Sequence, residues 1–138
     1  MMRARWRSGL RRALVALYLV AGIAHIAAPR PFLAITPQWV PSAPTVVLLT
    51  GIAELLGAAA LAQPFLPGLR RTAGIALALY AVCVFPANIN HFYMDMQKPD
   101  HGFGLAYHIP RMFAQPLLVW LALWTSGATG WPFGRRRA

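Results

Sequence analysis

Glu54 is a carboxylate alone in an otherwise uncharged run, Thr45 to Ala62. Such a run is long enough to cross a bilayer, which takes roughly 20 apolar residues. The nine residues from Thr45 to Glu54 rise ~13 Å as a helix, which reaches near the midplane of a ~30 Å hydrocarbon core. An ionisable group at that depth is costly unless it is paired, hydrogen-bonded or protonated. Thr50, Gly51, Gly57 and Ala58 lie one turn to either side of it. This small face permits close approach of another helix, so Glu54 is expected to face protein rather than lipid.

Other polar residues interrupt apolar runs in the same way: His25, Asn88, Asn90, Arg111 and Gln115. An imidazole, a carboxylate, amides and a guanidinium can line one cavity or form one hydrogen-bonded network. Glu54 is expected to contact a polar group of another helix, with Arg111, Gln115, Asn88 and His25 as candidates. The plainer alternative is that Glu54 pairs with Arg111 or His25 only to hold helices together. Two cofactor arrangements are formally open. His25 and His91 offer an axial pair for a haem, which is disfavoured because His91 is expected near the membrane edge. His91 and Asp95, with Asp100, His101 or His108, have spacing that permits a metal but does not diagnose one. A solvated loop turn explains them more simply. The lone Cys83 excludes an internal disulfide and is expected to be a small buried hydrophobe.

These residues need membrane-crossing elements to bring them together. Hydrophobic residues make up 58% of the chain against 12% charged, far from the balance of an ordinary soluble domain. Four spans are expected, at 10–28, 45–63, 72–91 and 110–126, between a basic segment 1–9 and a basic tail 127–138. The net charge of +10 raises nucleic-acid binding, but the arginines alternate with the spans instead. Arg3, Arg5, Arg7, Arg11 and Arg12 precede the first run, Arg70 and Arg71 separate the second from the third, and Arg135, Arg136 and Arg137 follow the fourth. The positive-inside rule then puts both termini in the cytoplasm and argues against a nucleic-acid role. The first run also has the shape of a signal peptide, but His25 and the charge alternation favour its retention. Five prolines between Pro29 and Pro44, interleaved with Phe32, Leu33, Ile35, Trp39 and Val40, predict an interfacial segment with one short helical turn, expected to lid the outer end of the bundle. In the third run Gly74, Ala78, Ala81, Phe85 and Asn88 share a face, and Pro86 should bend the helix. Pro110 suits the first turn of the fourth.

Thr50-Gly51-Ile52-Ala53-Glu54-Leu55-Leu56-Gly57 resembles the second-helix signature of the DoxX family of small four-helix membrane proteins. Phe85-Pro86-Ala87-Asn88-Ile89 and the spacing of Arg111 to Gln115 resemble the same family, and His25 followed by Pro37-Gln38-Trp39-Val40-Pro41 its DoxX-like branch. The similarity runs from about Leu10 to Ser126. It departs at Ile109 to Gln115, which lacks the family's leucine-proline, and at His91-Phe92-Tyr93-Met94. The resemblance implies an all-α integral membrane four-helix bundle in the cytoplasmic (inner) membrane. It places the family's polar positions at Glu54, Asn88, Arg111 and Gln115. Some relatives are subunits of thiosulfate:quinone oxidoreductases and others associate with membrane redox enzymes. The expected function is binding of a quinone-like or amphipathic ligand in membrane redox metabolism. His25, Glu54, Asn88, Asn90, Arg111 and Gln115 would contact the ligand, with Glu54 also the proton acceptor. No electron carrier is visible in the chain, so a redox partner or bound cofactor is expected besides the lipid bilayer, with a homo-oligomer as a further possibility. The alternative is a non-catalytic assembly or scaffolding subunit of a membrane complex. Transport is disfavoured because the chain shows no internal repeat.

Overall fold

The computed structural model describes residues 2–134, with side chains from Ala4 onward. Arg135, Arg136, Arg137 and the side chain of Arg3 lie outside the described residues. Five helices occur in chain order: α1 (Met2–Ala27), α2 (Arg30–Ile35), α3 (Ala43–Ala62), α4 (Pro67–Met96) and α5 (Leu105–Ser126). No strand occurs among the described residues.

The four long helices pack side by side, with α1 and α4 each lying against both α3 and α5. Leu14, Tyr18, Ala58, Leu61, Leu77, Ala78 and Ala122 form their common core. Small residues set the close approaches, as their spacing predicts. Gly22 of α1 faces Gly51 of α3, where an added Cβ would lie 2.8 Å from the Gly51 carbonyl. Gly57 receives the Leu77 side chain, and Gly74 sits against Ser126 and Ala122 of α5. Gly127 ends α5 with φ 91°, a left-handed conformation that glycine adopts without a Cβ penalty.

Among the described residues, three helical stretches are long and apolar enough to cross a membrane, Ala4–Ala27, Ala43–Ala62 and Pro67–Met96, with mean hydropathies of 1.5, 2.0 and 1.8. Helix α5 is not among them; Pro110, Arg111 and Gln115 occupy its first half, and Pro116 follows.

Several boundaries differ from those expected. The basic segment 1–9 is helical from Met2 and continues into the first apolar run as α1. Nothing in that segment breaks a helix more strongly than Gly9. Helix α4 runs for 30 residues through Pro86, well beyond 72–91. Helix α5 begins at Leu105 after Gly104, so Pro110 falls inside it rather than in its first turn. The proline-rich segment does contain one short helix, α2, with Pro31 in its first turn. Cys83 is exposed on α4 rather than buried. An apolar run marks a residue as compatible with lipid or core, and only packing separates the two.

Candidate functional site

Call the end that carries His25, α2 and the start of α5 the upper end, and the end that carries Arg7, the α3–α4 turn and Gly127 the lower end. A cavity of about 290 Å³ opens in the upper half, lined by α2, the segment after it and all four long helices. Phe32, Pro37 and Trp39 of the proline-rich segment are among its lining residues.

Glu54 lines this cavity with its side chain only 5% exposed. Tyr80 of α4 donates its hydroxyl to Glu54 Oε1 at 2.8 Å. His25 of α1 places Nδ1 2.8 Å from Oε2. The same nitrogen lies 2.9 Å from the carbonyl of Ala21, and one ring nitrogen carries at most one proton. That proton aligns with the carbonyl, so Oε2 is buried without an aligned donor. The Tyr18 hydroxyl, on the same cavity wall, is also buried without a partner. Phe32 stacks on the His25 ring with centroids 3.7 Å apart, so α2 holds the imidazole in place.

A second polar group crosses from α5 to α4. Arg111 donates to Asn88 Oδ1 and, at 3.0 Å, to His91 Nδ1. Asn88 donates to Gln115 Oε1 at 3.1 Å, and Gln115 donates to the Ala81 carbonyl. Arg111, Asn88 and Gln115 all line the cavity. Of the candidate partners for Glu54, the structure therefore selects His25. Arg111 does not pair with it, because the small face Gly74–Ala78–Ala81 draws α4 against α5 and brings Asn88 and His91 to the guanidinium. Asn90 is outside the cavity lining and instead donates to the Ile35 carbonyl at 2.9 Å, fixing the end of α2. Tyr18 and Tyr80 were absent from the sequence-derived set. The available signal was a phenol inside an apolar run, since a buried tyrosine hydroxyl usually needs a partner.

The expected solvated turn around Asp95 is a buried cluster. Asp95 and His108 are both 0% exposed. Asp95 accepts from Lys98 Nζ at 2.6 Å, His108 Nε2 at 2.9 Å and the Phe103 amide at 3.1 Å. His91 Nε2 lies 3.5 Å from the same carboxylate. Gly102, at φ 55°, leaves room for that carboxylate. Asp100 and His101 stay exposed on the loop. Ligand atoms of His91, Asp95 and His108 lie within 4.8 Å of one another, a spacing a metal ion would accept. The proton arrangement favours a different role. A guanidinium only donates, so His91 Nδ1 accepts and a neutral ring carries its proton on Nε2, leaving no lone pair there for a metal or a haem iron. Lys98 adds positive charge to the site. These residues fit an anchor that fixes His91, and through it Arg111, at the cavity wall.

A family model described as a domain of unknown function, DUF8561, matches residues 14–126. The chain belongs to this family, and the match takes in the whole cavity. Comparisons with curated proteins and with solved structures find no match.

Proposed function

We propose that this chain is a DoxX-like multi-pass protein of the inner membrane that binds a quinone-like or amphipathic ligand in its upper cavity. The carrying observation is that two buried polar atoms without aligned partners, Glu54 Oε2 and Tyr18 Oη, line one cavity. Leaving a buried hydroxyl such as Tyr18 Oη unmet costs about 1–3 kcal/mol, which a ligand offering a polar contact to Tyr18 and a donor beside His25 to Glu54 Oε2 would recover. The Arg111 guanidinium, also in the lining, supplies donors for a carbonyl. Apolar side chains including Leu17, Val47 and Leu118 line the cavity between these polar groups, as a ring or prenyl chain requires. Glu54 is the proton acceptor in this reading, and electrons come from a partner enzyme or a cofactor that it carries.

The accompanying topology has four crossings with both termini cytoplasmic and the cavity facing outward. Helix α5 suits a fourth crossing because Arg111 and Gln115 turn inward, while Phe113 and Leu117 are exposed apolar residues. A scaffolding role draws support from the Arg111–Asn88–Gln115 chain, whose members already bond one another.

The test is titration of the detergent-purified protein with decylubiquinone, followed by tryptophan fluorescence, since Trp39 lines the cavity. Saturable quenching, weakened at least tenfold by Arg111→Leu, is expected. Quenching that never saturates, or is unchanged in the variant, would remove the quinone-like reading. In membranes with the redox partner, Glu54→Gln should lower activity per assembled complex by ~10²-fold, the usual scale for a general acid or base. A normalised ratio near one would favour the scaffold.

A further inference from the structure

At the lower end, opposite the cavity, arginines from two helices gather with no side-chain carboxylate among them. Arg7 and Arg11 come from α1, and Arg70 and Arg71 from the first turns of α4. Arg11, Arg70 and Arg71 all lie within electrostatic reach of Arg7, and Arg70 within reach of Arg11. The three acidic side chains of the chain are elsewhere: Glu54 in the upper cavity, Asp95 and Asp100 beside the α4–α5 loop.

The cluster is built into the fold. Arg7 donates Nε to the Trp124 carbonyl at 2.7 Å, near the C-terminal end of α5. Its guanidinium also lies over the Trp124 ring, 5.7 Å from the centroid. Across the bare backbone of Gly127, a Cβ would stand 3.0 Å from Arg7 Nη2 and 3.8 Å from Arg71 Nε. Arg70 Nε is buried and has no hydrogen-bond partner among the described residues. Four guanidiniums held this way repel one another, and a donor among them lacks an acceptor.

We propose that Arg7, Arg11, Arg70 and Arg71 form a binding site for the phosphate of an anionic phospholipid. A phosphodiester supplies charge-assisted acceptors that match guanidinium forks, and basic pockets between membrane helices bind such headgroups. The apolar surroundings favour a lipid over a free anion. Trp6, Phe65, Leu66 and Leu69 are exposed at the same end, at 66%, 85%, 59% and 45%. They offer acyl chains a surface beside the headgroup. The site rests on the membrane reading but is independent of what fills the upper cavity.

The experiment is native mass spectrometry of the full chain released from detergent containing equal amounts of dioleoyl phosphatidylglycerol and dioleoyl phosphatidylcholine. At least tenfold preferential retention of phosphatidylglycerol is expected. Arg70→Gln with Arg71→Gln should abolish the preference, while Arg30→Gln, outside the cluster, leaves it intact. Arg70→Lys with Arg71→Lys keeps the charge that sets topology but loses the fork geometry, so the preference should fall severalfold. Equal retention of the two lipids would overturn the proposal. So would an effect of Arg30→Gln as large as that of the pair, or full preference in the lysine variant, since either means diffuse attraction. Millimolar inorganic phosphate displacing the lipid would assign the site to a free anion instead.

Discussion

Replacing Tyr80 by phenylalanine removes one oxygen and tests the centre of the cavity. That oxygen is the aligned donor to Glu54 Oε1, at 2.8 Å, and the acceptor is 5% exposed. Hydrogen bonds to charged groups contribute ~1.5–3 kcal/mol. Interhelical bonds measured within membranes are weaker, averaging ~0.6 and reaching ~1.7 kcal/mol. The burial of Glu54 argues for the upper part of the membrane range. His25, the other close polar partner, lies against Oε2 and has its N–H aligned with the Ala21 carbonyl, so it does not replace the bond at Oε1. Tyr80→Phe should therefore destabilise by about 1–2 kcal/mol, roughly a 5- to 30-fold loss in the folding constant. In a Glu54→Leu background that bond is already gone, and the phenol keeps only its contact with the Thr50 side chain. There Tyr80→Phe should cost markedly less. The assay is a double-mutant cycle from reversible unfolding in mixed micelles, followed by circular dichroism. The same cost for Tyr80→Phe in both backgrounds would refute the reasoning, because the hydroxyl would then contribute nothing through Glu54.

Arg111→Leu and Glu54→Leu should be additive within about 0.5 kcal/mol, because Arg111 bonds Asn88 and His91 instead of Glu54; a larger coupling in the same unfolding assay would indicate direct pairing. Gly74→Ala should cost about 1–3 kcal/mol by overpacking, because its Cβ would lie 2.6 Å from the Ala122 carbonyl as well as against Ser126. Gly68→Ala, with open space around it, is the control, and equal thermal midpoints for the two would contradict the α4–α5 packing. For topology, reporter fusions after Gln63 and after Lys98 should read cytoplasmic and external respectively; the opposite pair would invert the proposed orientation.

Helical class and the existence of the apolar helices were legible in the sequence because run length and hydropathy are local properties. So was the inward orientation of Glu54, since the small residues one turn away left no other economical place for it. The small face of α4 was equally readable from its helical spacing, and Gly74, Ala78 and Ala81 do pack towards α5. Pairing was not legible. His25 and Arg111 were equivalent candidates for Glu54 by residue type and depth, and the choice between them depends on which helices touch. Tyr80 reaches Glu54 across 26 residues of sequence, and its type alone does not distinguish a bonded phenol from a packed ring. The cluster at Asp95 was hidden for a related reason. Its spacing reads as a polar turn, and burial came only when α4 ran on past its apolar stretch and α5 began early enough to set His108 against it. Charge placement and periodicity act along a helix and can be read from the chain. Hydrogen-bond partners depend on the lateral packing of helices, so only the tertiary structure decided them.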